Sequence, residues 1–186
     1  IAPNHAGLWV NKGNILHSLK SYDEAIVNFD KALQISPENA VAWTNKAISL
    51  EALDRLDEAL FAYDCATRVD QTYVSAYWNK SNLKLSLGDY QSGWELFEWR
   101  WRTKAQKNLF RQYPQPIWLG GESLKDKTIL IWSEQGLGDS IQFCRYVKMV
   151  ADLGANVIFE VQEPLVELFG SLDGVDQIIP MGSRVS

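Results

Sequence analysis

Apolar, aromatic and small residues recur along the first hundred positions with a spacing of 34. Trp9-Val10-Asn11-Lys12-Gly13 is answered by Trp43-Thr44-Asn45-Lys46-Ala47 and again by Tyr77-Trp78-Asn79-Lys80-Ser81. Tyr22, Leu56 and Tyr90 open the second half of each unit; Ala25, Ala59 and Gly93 follow, and then Ala32 and Ala66. This pattern predicts two helices per unit. The small residues let helix A and helix B of a unit approach closely, and large aromatics fill the gaps between neighbouring pairs. Pro37 stands where the second helix of the first unit must stop, because proline has no amide hydrogen to donate.

A 34-residue unit with these marks resembles the tetratricopeptide repeat. The resemblance implies three repeats (about 6–39, 40–73 and 74–104) stacked as a right-handed superhelix over residues 1–104. Three is about the smallest number that makes a stable stack. The third unit departs from the pattern. Arg100 replaces the alanine of the first two, in the segment GWELFEWRWR, where Trp94, Phe97 and Trp101 are spaced to share one helical face. Terminal repeats normally turn a polar face outward. An aromatic one predicts either a covering element, with the next domain the candidate, or rings that complete the repeat's own core. Arg100, Arg102, Lys104, Lys107 and Arg111 interleave with aromatics, as in single-strand nucleic-acid grooves. In an acidic chain, a solvated helix face running into a linker is the preferred reading.

Stacked repeats line a concave groove with their A helices. Asn11, Asn45 and Asn79 recur at one A-helix position and should form a row there, where amides could pair with an extended peptide backbone. The row resembles the asparagine ladder of O-GlcNAc transferase. The alternative is that each asparagine bonds to the backbone of the neighbouring repeat. Chaperone-binding repeats that clamp a C-terminal carboxylate are a poorer match. Asn14 and Asn45 fit that clamp, but its basic positions fall on Val10, Ser75 and Asn79.

Beyond residue 104 the period is lost. Residues 105–121 include the proline- and glycine-rich QYPQPIWLGG and read as a junction, with Trp118 as an anchor. Residues 122–186 then form a partial α/β lobe of Rossmann-like type. An apolar run (Thr128 to Trp132) meets a glycine turn. An amphipathic segment with Ile141, Cys144, Val147 and Val150 on one stripe follows, then a second apolar run from Val157 to Val161. Strand, turn, helix and strand make a βαβ unit, and Gln177 to Met181 supply a third strand. Ligands in such sheets gather at the carboxyl ends of the strands, which selects the turn at 134–140. Gly136 and Gly138 begin a GxG, but Ile141 stands where a dinucleotide fingerprint needs its third glycine. Glu160 lies where a ribose-binding acid would sit. Glu134 and Asp139 oppose a phosphate there. They suit sugar hydrogen bonding or proton abstraction from a hydroxyl, or Asp139 is simply the helix N-cap.

The segment ILIWSEQGLGDSIQFCRYVKMVADLGANVIFEVQ is similar to the opening of heptosyltransferase-like (family 9-like) glycosyltransferases, and especially to bacterial proteins that fuse such a domain to tetratricopeptide repeats. The resemblance implies a GT-B enzyme in which Asp139, after Gly138, is the candidate base. It places Gly138 and Asp139 beside the acceptor, while Glu134, Gln135, Gly136 and Gly138 are candidate substrate-binding residues from the position of the turn at the strand ends. A nucleotide-sugar donor is expected for the longer enzyme and no cofactor for this fragment, since the donor-binding half is missing. Only about 60 residues follow Lys127, against the ~100–150 of a full domain. This fragment is expected not to turn over, and the opening Ile1 suggests a piece of a longer chain. The second reading is a scaffold whose degenerate lobe does no chemistry; a nicotinamide or flavin oxidoreductase is disfavoured by Ile141.

Composition narrows the partners. The net charge of −5 over 186 residues gives no support to nucleic acid or anionic membrane, and no apolar run approaches the ~20 residues of a membrane helix. Cys65 and Cys144 read as small hydrophobes, which fits a reducing, cytoplasmic setting. His5 and His17 have no ligand-spaced companions, so no metal site is expected. A protein or peptide in the repeat groove is the partner this leaves.

Overall fold

The computed structural model describes residues 5–103, 113–134 and 136–183. The chain divides into two compact units, 1–113 and 114–186.

The first unit is a run of helices. α1 (Ala6–Ser18), α2 (Tyr22–Ile35), α3 (Ala40–Glu51), α4 (Leu56–Val69), α5 (Val74–Ser86) and α6 (Tyr90–Phe97) form three antiparallel pairs. Asp23 and Glu24 in the first turn of α2, and Asp57 and Glu58 in that of α4, sit where the helix dipole favours negative charge. Asn39 caps α3 by accepting from the Ala42 amide at 3.0 Å.

The small positions do what the repeat requires. Ala25, Ala32, Ala47, Ala59 and Ala66 are fully buried, as are the rings of Phe29 and Tyr63. A methyl group at Gly13 would lie 2.5 Å from the Phe29 ring, so the α1–α2 pair closes on a bare backbone. Neighbouring pairs are joined by a recurring ion pair: Lys46 Nζ meets Asp30 at 2.6 Å, and Lys80 meets Asp64 one period on.

The last repeat corrects two expectations. α6 ends at Phe97 and the chain tightens into a 3-10 helix over Glu98–Arg102, so Trp101 leaves the face set by Trp94 and Phe97. Arg100 is buried rather than solvated, with its guanidinium 4.6 Å from the Phe97 ring centroid, 4.3 Å from that of Trp101 and 2.6 Å from the Glu98 carboxylate. Trp99 stacks on Tyr77 at 3.7 Å with planes 3° apart, and the Arg102 guanidinium lies over the Trp99 ring, 4.1 Å from its centroid. These two cations are engaged by this repeat's own rings. Lys104, Lys107 and Arg111 lie outside the described residues.

The second unit holds three parallel strands in the order β1-β2-β3: β1 (Thr128–Trp132), β2 (Asn156–Val161) and β3 (Gln177–Pro180). Register pairs Thr128 with Asn156 and Ile158 with Gln177. Central β2 has Val157, Phe159, Glu160 and Val161 all buried, as expected of a parallel strand covered on both faces. The amphipathic segment is two short helices, α7 (Leu137–Phe143) and α8 (Arg145–Ala151), broken at Cys144. The break dissolves the single stripe: Val147 is buried, Cys144 and Val150 are half-buried, and Ile141 is exposed. Between β2 and β3 run two 3-10 turns, Glu163–Leu165 and Leu168–Ser171, instead of a second crossover helix; Pro164 opens the first. Trp118 packs against the core of Leu124, Val157 and Phe159, and its indole N–H donates to the Glu122 carbonyl at 2.9 Å.

Candidate functional site

α3 touches α1 on one side and α5 on the other, which places residues of equal phase on the three A helices side by side. Asn11 is exposed, and Asn45 and Asn79 are half-buried. The Asn45 amide N–H donates at 2.8 Å to the side-chain oxygen of Asn14, one turn beyond Asn11. The neighbouring repeat therefore supplies a side chain, where backbone had been the expected alternative. The residue equivalent to Asn14 in the second repeat is Ile48, so Asn79 has no matching amide. Among the described residues, Asn11 and Asn79 make no side-chain hydrogen bond. The row is a coupled pair and two open amides.

Polar groups that periodicity did not single out border the same helices. His17 Nδ1 lies 2.9 Å from Ser49 Oγ, which donates to the Asn45 carbonyl at 3.0 Å. Tyr63, fully buried, donates its hydroxyl to Glu51. Burial raises the Glu51 carboxyl above its ordinary value, against the opposing effect of the Tyr63 bond. Of the positions where a carboxylate clamp would carry cations, Val10 is buried, Ser75 is exposed and Asn79 is half-buried. None is charged.

At the carboxyl ends of the strands, Asp139 is exposed, as are Gly136 and Gly138, and Glu134 is half-buried. Gln135 lies outside the described residues. Gly136 is the N-cap of α7, with no side-chain capping bond, so Asp139 is not the cap. The turn is held instead by Ser140, a residue the sequence reading passed over. Its hydroxyl bonds to the Gly136 carbonyl at 3.3 Å and to the side-chain oxygen of Gln162, just after β2, at 3.0 Å. Ser133 Oγ, buried at the end of β1, has no hydrogen-bond partner among the described residues. Glu160 is no ribose ligand: fully buried, it accepts from the Gly182 amide at 2.7 Å and ties β2 to the chain after β3. Among the described residues, no three His, Cys, Asp or Glu side chains converge as a metal site, and no helix is long and apolar enough to cross a membrane.

Comparison with known proteins agrees with the first unit. Family models described as tetratricopeptide repeat match residues 6–39 and 28–61, and the chain carries tetratricopeptide repeats. Protein FlbA of Caulobacter vibrioides is 30% identical over 73 residues, which are 39% of this chain and 12% of that protein. The Sgt2 TPR domain from Aspergillus fumigatus is similar in structure, with a TM-score of 0.51, 25% identity, and coverage of 55% of this chain and 72% of that one. The first TPR of Spaghetti (RPAP3), bound to the HSP90 peptide SRMEEVD, gives a TM-score of 0.53 at 22% identity, covering 59% of this chain and 92% of that one.

Proposed function

We propose that the repeat unit binds a protein through an extended peptide segment laid along its A helices. The observation that carries this reading is the line of amides on adjoining helices, the Asn14–Asn45 pair with Asn11 and Asn79 still open. An amide offers a donor and an acceptor together, as a peptide backbone does. The peptide bound by the structurally similar Spaghetti domain fits the general mode. Its acidic sequence does not fit this surface, because the positions of the clamp are uncharged. The segment bound here is an internal stretch rather than a C-terminal acid. Replacing Asn11, Asn45 and Asn79 together with Ala is expected to weaken capture of a peptide selected on the unmodified chain by at least about tenfold, several lost hydrogen bonds at ~0.5–1.5 kcal/mol each. The helical melting curve should barely move, since Asn45 loses one exposed bond. Undiminished capture removes the amide row from the proposal, and tight binding of SRMEEVD itself removes the exclusion of acidic termini.

The second unit is, on this reading, the acceptor-side part of a glycosyltransferase-like domain of GT-B type, in a longer protein that supplies the nucleotide-sugar donor site. Asp139 would accept the proton of the attacking hydroxyl. Its exposure supports that role, because the carboxylate in the first turn of α7 is open to a substrate and makes no capping bond. In the longest natural chain, Asp139→Asn should cut glycosyl transfer by at least ~100-fold while the melting temperature holds. Full activity in that variant would remove Asp139 as the base, whereas no transfer by the unmodified longest chain would leave the lobe a scaffold, the reading favoured by the structural use of Glu160.

A further inference from the structure

α1 differs from its two counterparts on one face. Ala42 and Ser49 of α3 are fully buried, and so is Ala76 of α5, with Leu83 at 4% exposure. The equivalent residues of α1 are Leu8, 41% exposed, and Ile15, 62% exposed. Both are larger than most of their counterparts and apolar. Between them on the same stripe, at i+4 from Leu8, stands Lys12. Lys46 and Lys80, one and two periods on, each pair with an acid sixteen residues earlier, Asp30 and Asp64, on the B helix of the preceding repeat. Lys12 meets no carboxylate among the described residues; its Nζ lies 5.9 Å from the Trp9 ring centroid. An outermost repeat that ended the stack would show a polar face here.

The sequence entering α1 supplies an independent observation. Ile1-Ala2-Pro3-Asn4-His5-Ala6 matches Ile35-Ser36-Pro37-Glu38-Asn39-Ala40 at the isoleucine, the proline and the last alanine. Ile35 is the final residue of α2, a B helix, and Pro37 lies in the turn that follows it. The residues before α1 are thus written like the junction that follows a B helix.

We propose that the Leu8–Lys12–Ile15 face is an inter-repeat interface. Its occupant is the B helix of a further repeat encoded directly upstream in the natural polypeptide, with an Asp or Glu sixteen residues before Lys12. A second copy of this chain fits less well. The acid it would present at the equivalent place is Glu98, and that carboxylate is held at 2.6 Å by Arg100.

The test uses the natural polypeptide beside the 186-residue chain. Amides of Ala6–Ser18 should exchange at least about tenfold more slowly in the natural polypeptide than in the shorter chain, because a covered helix opens only with its neighbour. Lys12→Glu should erase that protection and lower the melting temperature of the natural polypeptide. Reversing the upstream acid to Lys in the same molecule should restore both. The melting temperature of the 186-residue chain should not respond to Lys12→Glu. An upstream sequence with no acid at that place overturns the proposal, as does a Lys12→Glu variant that is silent in the natural polypeptide. Protection that appears only as concentration rises would assign the face to a second copy instead.

Discussion

Each repeat turns from its A helix to its B helix through one residue in the left-handed region: Lys20 (φ 62°), Asp54 (φ 58°) and Gly88 (φ 82°). Only the third is the residue that adopts this conformation without steric cost. A side chain there costs about 1 kcal/mol or a little more, part of which glycine returns through its freer unfolded state. Lys20→Gly and Asp54→Gly should therefore each stabilise the repeat unit by about 0.5–1 kcal/mol, read as a shift of the denaturant midpoint. A second effect at this scale concerns Glu51. Burial raises its carboxyl, outweighing the bond from Tyr63. A raised carboxyl binds its proton more tightly folded than unfolded, so its contribution is fully present below its ordinary value and is lost as pH rises through the raised one. Glu51→Gln, which keeps an acceptor for Tyr63, should melt at or above the unmodified chain at pH 7. At pH 3 to 4 the two should converge, and thermal melts across that range check the sign.

Elements end where local chemistry overrules the repeat. Alanine at positions 32 and 66 lets α2 and α4 run on as regular helices. Arginine at position 100 instead folds back over the Phe97 and Trp101 rings and onto Glu98, and the chain tightens into a 3-10 helix. The last repeat thus closes on its own cation and rings, while Trp94 stays 56% exposed. Arg100→Ala should cost about 1–3 kcal/mol, from lost cation–π contact and a half-buried carboxylate left without its partner. Arg100→Lys should recover little, since an ammonium cannot lie flat on two rings; denaturant titration of the three proteins decides it. The break at Cys144 is the same kind of event, two short helices in place of one amphipathic run.

Over the whole molecule the repeats couple through nearest neighbours, so the chemistry of one interface is a template for the next. The Asp30–Lys46 and Asp64–Lys80 pairs are that template, and they make Lys12 conspicuous. The three-asparagine substitution reads the first unit and Asp139→Asn reads the second, so failure of one proposal leaves the other standing.

What the order of residues settled is whatever repeats. A spacing of 34 placed three helix pairs, their small contact positions and the asparagines at equal phase, because helix faces depend only on local period. Runs of apolar β-branched residues likewise located β1, β2 and β3. Pairings between elements were not legible, since a side chain's partner depends on how two helices or strands lie against each other. Asn45 found Asn14 rather than backbone, Glu160 became a buried tie to Gly182, and Ser140 with Gln162 took the place of Asp139 in holding the turn. Arg100 was read from its charge as solvent-facing although it stands in phase with Ala32 and Ala66, and it is buried because the Glu98 carboxylate and the Phe97 and Trp101 rings together offset its desolvation.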